Sequence, residues 1–274
     1  NPVLERVAND TTFNSATNGF IVAADDDISP DTTFIYSSTD AGNSWTESDT
    51  FADESLISIH FSRSDNSVGY VVGTNILLSA PVIYTTTNGG ATWDGIVPMG
   101  DINAPVDVFF LTPDTGFIAD RSPNWLTKTT DGGQNWSAVN KPGSAQGTGE
   151  LVQFLDDQTG YVMGLSEIHV TNDGGDNWTE LLDDDTLQLL SFYAIDENNL
   201  IAVGNGGIYV RTTDGGLNWD YNTLPGLPNS SFTSADKVYF TNSTTGYIAG
   251  MEPLPGGGLG NQGFAYKTID GGQT

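Results

Sequence analysis

The chain has 274 residues and no cysteine, with 8 Lys and Arg against 35 Asp and Glu, for a net charge of −27. Nucleic acid and anionic lipid surfaces are bound by Lys and Arg displacing counterions, so this balance argues against both as partners and suits a salty, calcium-containing exterior medium. Disulfides and thiolate metal sites are excluded, and no apolar run approaches the ~18 residues of a membrane span.

Taken in chain order, the same elements recur six times. Asn18-Gly19-Phe20-Ile21-Val22 reads as a glycine turn into a strand, and the turn Ser38-x-Asp40-x-Gly42-x-x-Trp45 follows it. Val68-Gly69-Tyr70-Val71-Val72 leads to Thr86-x-Asn88-x-Gly90-x-x-Trp93, and the alternating run Val106–Phe110 with Thr115-Gly116-Phe117-Ile118 leads to Thr129-x-Asp131-x-Gly133-x-x-Trp136. Val152-Gln153-Phe154 and Thr159-Gly160-Tyr161-Val162 precede Thr171-x-Asp173-x-Gly175-x-x-Trp178. Asn198-Asn199-Leu200-Ile201 precedes Thr212-x-Asp214-x-Gly216-x-x-Trp219. Val238-Tyr239-Phe240 and Thr245-Gly246-Tyr247-Ile248 precede Thr268-x-Asp270-x-Gly272, one residue short of a further tryptophan.

The tryptophans at 45, 93, 136, 178 and 219 recur every 41 to 48 residues, the period of a repeat built from one small sheet. Alternating, β-branched and aromatic runs bounded by Gly, Asn and Asp are strands. Each unit therefore gives strand A, a glycine turn, strand B, a variable loop, strand C, the Asp turn, and strand D carrying tryptophan. Four-stranded antiparallel units at this period predict an all-β fold, a β-propeller of six blades over residues 1–274 as one domain. The alternative is seven blades, with part missing from this chain. Opening without Met and closing inside a repeat, the chain reads as part of a longer precursor, with Asn1 to Arg6 placed where a strand D completes the last blade.

The turn explains its own residue types. The carboxylates of Asp40, Asp131, Asp173, Asp214 and Asp270, and the amide oxygen of Asn88, can accept backbone N–H bonds within the C–D turn. Glycine supplies the positive φ, the Ser or Thr hydroxyl adds a local bond, and tryptophan covers the hairpin. A residue required in every unit is structural rather than catalytic.

These turns resemble the Asp-box, or BNR repeat, of bacterial sialidases, xyloglucan-degrading propeller enzymes, sortilin-type receptors and photosystem II assembly-factor propellers. The Thr-Thr-Asp-Gly-Gly form at Thr129–Gly133 and Thr212–Gly216 is most similar to the assembly-factor and bacterial exported branch. The resemblance implies the fold; the same turn decorates enzymes, receptors and scaffolds.

From the strand-B glycine or its equivalent to the Asp-turn residue the interval runs from 13 to 24 residues, so variation concentrates in the B–C loops, where binding residues are expected. Three clusters on the face of these loops are candidates, the second of them following strand D of the fourth unit. Asp25, Asp26, Asp27 and Asp31, and separately Asp183, Asp184 and Asp185, offer oxygen-rich loops for calcium, with Asp25, Asp27, Asp183 and Asp185 as ligands; neither has the EF-hand spacing, and a solvated acidic loop is the competing reading. Asp120, Arg121, Asn124 and Trp125 form the third, where an exposed indole could stack on a sugar or anchor a protein, with core packing as the competing reading. His60 and His169 each stand alone and read as packing residues. The Met251–Gly263 segment, rich in Gly and Pro, reads as a flexible or lid-like loop.

A sialidase-like site needs converging arginines, and Arg6, Arg63, Arg121 and Arg211 occupy different positions in their units. Xyloglucanase-like chemistry needs two carboxylates about 6.5–9.5 Å apart across a cleft. The resemblance also implies arginine-rich surfaces for an assembly factor, which this chain lacks. The expected function is a non-enzymatic, bacterial secreted or cell-surface propeller that binds a protein or glycan at the cell exterior, or other domains of its precursor. A glycoside hydrolase acting on extracellular polysaccharide is the alternative.

Overall fold

The computed structural model describes residues 6–25, 32–122, 124–141, 148–227, 233–254 and 260–273, and all regular structure among them is strand. Contacts group the chain into two compact units: Asn1–Lys141 with Ala145–Val152, and Pro142–Ser144 with Gln153–Thr274.

The first unit holds three antiparallel sheets. Sheet 1 is β1 (Val7–Phe13), β2 (Gly19–Ala24), β3 (Thr32–Ser38) and β4 (Thr46–Ala52). Sheet 2 is β5 (Glu54–Phe61), β6 (Gly69–Asn75), β7 (Ala80–Thr86) and β8 (Asp94–Ile96). Sheet 3 has the two-residue β9 (Met99–Gly100), then β10 (Pro105–Phe110), β11 (Gly116–Asp120), β12 (Leu126–Thr129) and β13 (Asn135–Ala138); β9 adds to it as a fifth strand, parallel to β13.

In the second unit, sheet 4 comprises β14 (Leu151–Phe154), whose first two residues belong to the first unit, β15 (Gly160–Met163), β16 (Glu167–Thr171) and β17 (Thr179–Asp183). Sheet 5 comprises β18 (Leu189–Ala194), β19 (Leu200–Gly204), β20 (Ile208–Thr212) and β21 (Asp220–Thr223). Sheet 6 has three strands: β22 (Ser234–Phe240), β23 (Gly246–Pro253) and β24 (Asn261–Thr268). Five sheets run in the A-B-C-D order that the repeat dictates and sheet 6 runs A-B-C among the described residues, and the fold class is that of a six-bladed β-propeller. At the two ends of the Met251–Gly263 segment β23 and β24 continue their pairing to Pro253 and Asn261, and residues 255–259 between them lie outside the described residues. Of the proposed N-terminal strand, Asn1 to Glu5 lie outside the described residues; Arg6 stacks on the Phe34 ring of sheet 1, 3.3 Å from its centroid.

In sheets 1 to 5 strand B is buried on both faces, which is why its sequence is a continuous apolar run rather than an alternation; β23 of sheet 6 alternates between half-buried and exposed. Val22, Val72, Ala119, Met163 and Val203 all have no exposed surface. Strand A has a different task. Its pairing with strand B slips at Ala8/Asp10, Leu56/Ser58, Pro105/Asp107, Leu189/Ser191 and Ala235/Lys237. A β-bulge re-aims the residue that follows it. In the first unit this turns Asp10, Ser58 and Asp107 toward neighbouring chain: Asp10 accepts from Ile59 N–H (2.9 Å), Ser58 Oγ lies 3.0 Å from Asp10 and 2.8 Å from Asp107, and Asp107 accepts from Val152 N–H (2.8 Å). In the second unit Ser191 Oγ accepts from Val238 N–H (3.2 Å), and the Gln153 amide both donates to and accepts from Ala194.

Aromatic rings fill the space between successive sheets. Trp93 meets Phe20 of sheet 1 and Phe61 of sheet 2 edge-on, at 6.3 and 5.9 Å. Tyr70 stacks on Phe110 at 3.5 Å, and Trp136 stands edge-on to Phe110 at 6.0 Å. Gly90, at φ +88°, permits one such contact, because a Cβ there would lie 2.4 Å from the Phe20 ring.

Candidate functional site

The Asp turns are closed hydrogen-bond systems. At Asp131, Oδ1 accepts from Thr129 Oγ1 (2.9 Å), Gln134 N–H (3.1 Å) and Asn135 N–H (2.9 Å), while Oδ2 accepts from the Asn135 side chain (2.7 Å). Thr129 Oγ1 in turn accepts from Gly133 N–H at 3.0 Å. Asp40, Asp173 and Asp214 repeat this with Ser44, Asn177 and Asn218, and Asn88 does so with Thr92, its amide nitrogen donating to the Thr92 hydroxyl. Asp270 accepts from Thr268 Oγ1 and Gln273 N–H. The Asn135 bonds hold the Asp131 carboxyl below its ordinary range, and the Asn177 side chain above all lowers Asp173 to about 2. The polar partner four residues on, at 44, 92, 135, 177 and 218, was missed in the sequence, although a Ser, Thr or Asn stands before each tryptophan.

The Asp120–Trp125 loop is tied down from within. Asp120 is fully buried and accepts from Asn103 N–H (2.8 Å), Ala104 N–H (3.1 Å) and Ser122 N–H (2.8 Å). Trp125 is 2% exposed, so the expectation of an exposed indole is corrected: its N–H donates to Val139 O at 2.9 Å and its backbone takes φ +40°. Asn124 donates to Asp101 O at 2.7 Å. Arg121 alone projects, with 60% of its side chain exposed and its guanidinium on Glu150 at 2.6 Å.

Of the acidic clusters, Asp25 faces Arg6 at 3.8 Å, whereas Asp26, Asp27 and Asp31 lie outside the described residues. Asp184 accepts from Thr186 N–H and Oγ1 (3.0 and 2.6 Å) in a local turn, with Asp183 and Asp185 exposed on either side. Among the described residues no three His, Asp or Glu side chains gather closely enough to hold a metal ion. Arg6 is engaged by the Tyr36 hydroxyl and Glu47, and Arg211 by Gly272 O. His60 Nδ1 accepts from Phe110 N–H at 3.1 Å, and desolvation, with Arg63 adding to it, pushes its pKa down to about 3. His169 is buried with Nε2 3.1 Å from Glu167.

Two features of the first unit stay open to solvent. On the B–C side, the tip of the β6–β7 hairpin presents Ile76, Leu77 and Leu78 at 37, 69 and 76% exposure. On the Asp-turn side, a groove of about 590 Å³ runs between sheets 2 and 3, with Tyr70, Ile96, Val97 and Met99 along it and Asp114, Asp131 and Gln134 at its edge.

Such a groove and tip are compatible with many propellers, and the repeat decides among them. The family of the photosynthesis system II assembly factor YCF48 matches residues 37–186, more than half of the chain. The chain belongs to this family. Photosystem II assembly lipoprotein Ycf48 of Synechococcus sp. (strain CC9902) is 28% identical over 120 residues, 42% of this chain and 36% of that protein, so the match spans about a third of the relative. The structure of YCF48 bound to D1 peptide is similar over 90% of this chain and 91% of that one, at 18% identity and a TM-score of 0.50. The GH74 xyloglucanase from Xanthomonas campestris matches 98% of this chain with 44% of its own, at 15% identity and a TM-score of 0.72, a likeness of fold. The scarcity of arginine therefore does not set the chain apart from the YCF48 family. Among the described residues, no helix is long and apolar enough to cross a membrane.

Proposed function

We propose that this member of the YCF48 family is a non-enzymatic, exported propeller that binds a segment of another protein through the B–C loop end of its first unit. The observation that carries this reading is the hairpin tip at Leu77 and Leu78, two leucines 69 and 76% exposed on a chain of net charge −27. Exposed leucines held by a short, ordered hairpin lose little entropy when a partner covers them, and apolar anchors rimmed by polar groups mark protein contacts. Family membership and the peptide-bound YCF48 structure support a protein ligand. The lipoprotein relative supports export.

A photo-crosslinking residue at position 78, used in the producing cells and followed by mass spectrometry, tests the reading. The expected result is one enriched protein partner whose capture falls about tenfold in Leu77→Asp/Leu78→Asp, with Tm unchanged. Equal capture by wild type and variant, or enrichment only on a glycan array run in parallel, overturns it.

A further inference from the structure

The groove between sheets 2 and 3 is a second site, on the Asp-turn side and independent of the Leu77/Leu78 tip. Its lining residues lie between Val68 and Gln134, all of them described and far from either end of the chain. It exists because the chain leaves sheet 2 early. Strand β8 is three residues long, against seven in β4, and the chain then crosses to the edge of sheet 3, where Met99 and Gly100 pair with Asn135 and Trp136. Met99 N–H on Gln134 O (3.0 Å), Asp101 N–H on Trp136 O (3.2 Å) and Ala138 N–H on the Asp101 carboxylate (2.9 Å) fix the crossing. At Gly100, φ +114°, an added Cβ would lie 1.9 Å from Trp136 O, so only glycine lets the crossing run this close.

This ordered backbone holds Val97 86% and Met99 59% exposed. Among the described residues they are the only large apolar side chains so exposed in a connection from strand D to strand A; in the later connections Leu187 and Leu224 turn inward. Tyr70 forms the floor, stacked on Phe110 with its hydroxyl donating to Pro113 O at 2.6 Å, and Ile96 packs against the same core. The rim is acidic. Asp131 is held ionised by its turn, and the exposed Asp114 is fixed by its backbone, its carbonyl accepting from Gly132 N–H at 3.0 Å and its N–H donating to Thr112 Oγ1 at 3.3 Å. No Lys or Arg lines the groove.

We propose that this groove docks an extended segment of a partner protein in which large apolar side chains alternate with Lys or Arg, the apolar ones lying against Ile96, Val97 and Met99 and the cations facing Asp114 and Asp131. Alternate side chains of an extended segment point to opposite faces, so one row can enter the groove while the other stays at the rim. Apolar groups held out on an ordered backbone lose little entropy when covered, and the carboxylates select the charge of what covers them. The stems of Lys and Arg add apolar contact of their own. A second copy of this chain is a poor occupant, because two molecules of net charge −27 repel each other.

The probes are fluorescein-labelled peptides with a Leu-Lys-Leu-Lys-Leu core between Gly and Ser flanks, and two counterparts with Glu in place of Lys or Ser in place of Leu, titrated into the 274-residue protein and followed by anisotropy. Saturable binding of the first is expected, at least about tenfold tighter than of either counterpart. Val97→Ser/Met99→Ser weakens it about tenfold and Asp114→Asn about two- to fivefold, each with Tm unchanged, because all three side chains are exposed. Leu165→Ser, which removes an exposed leucine of sheet 4's β15–β16 turn, leaves it unchanged. Four results overturn the proposal: no saturable binding, equal binding of the Lys and Glu peptides, binding that neither groove variant weakens, which is adsorption to the acidic surface at large, or sedimentation showing a dimer that Val97→Ser/Met99→Ser dissociates, which makes a second copy the occupant.

Discussion

Asp173 accepts four hydrogen bonds, from Thr171 Oγ1, Asp176 N–H, Asn177 N–H and the Asn177 side chain. All four favour the carboxylate over the acid, which is the cause of its depressed pKa of about 2 against an ordinary 3.8. A group whose folded pKa lies below its unfolded one contributes stability that is fully present above the unfolded value and is lost as pH falls toward the folded value. Asp40, Asp131 and Asp214 are lowered in the same sense, by Ser44, Asn135 and Asn218 respectively, whereas Asn88 does not titrate. Tm is therefore expected to fall between about pH 4 and about pH 2, and Asp173→Asn to be less stable than wild type at neutral pH but to lose less over that window. Parallel melting curves that differ by a constant amount across the window would contradict the assignment. The six turns were legible in the sequence because every group in them lies within five positions of the next. Trp125 had two readings in the sequence, an exposed indole in a polar loop and a core residue at the start of strand C, and its bond to Val139 and 2% exposure decide for the core.

Between elements, the strand-A bulges do the joining. The pattern of alternation predicts strand A correctly, yet the bulge shifts which residues face the next sheet, and a pattern read with a strict period of two misses the shift. A polar residue in an otherwise apolar strand is a readable trace at Asp107 and Ser191, but not at Asp10 or Ser58, whose strands carry other polar residues. Ser58 is 3% exposed; its oxygen touches both Asp10 and Asp107 and accepts from Val108 N–H at 3.4 Å. Ser58→Ala leaves these buried polar groups without their shared hydroxyl and should cost about 1–3 kcal/mol in urea unfolding. A change within experimental error would mean that the bulges are incidental to how sheets 1, 2 and 3 hold together. The B–C loops were placed correctly as the variable elements, but their lengths say nothing of which tips are solvent-facing. Among the described B–C loops, the Ile76–Ser79 connection exposes its leucines, whereas the more polar Asp120–Trp125 loop buries its tryptophan.

For the whole molecule, 35 acids against 8 bases leave self-repulsion that ion pairs scarcely relieve; those of Arg6 with Asp25 and Glu47 and of Arg121 with Glu150 are local. Raising ionic strength from about 0.01 M to about 0.15 M shortens the screening length from about 30 to about 8 Å and should raise Tm, the reverse of a fold held by exposed ion pairs. A calorimetric scan at the two salt levels checks the sign. The amino-acid sequence by itself determined the repeat, the order of strands in each unit and the roles of the hydroxyl, carboxylate and glycine in the Asp turns, though not of the polar partner before each tryptophan, because turn geometry and alternation are set by residues close along the chain. The tertiary structure decided that Trp125 and Asp120 are interior while Leu77 and Leu78 are not, and that bulged carboxylates bind neighbouring chain. These depend on packing between segments 14 to 49 residues apart, where burial and register, rather than local preference, settle what a side chain touches.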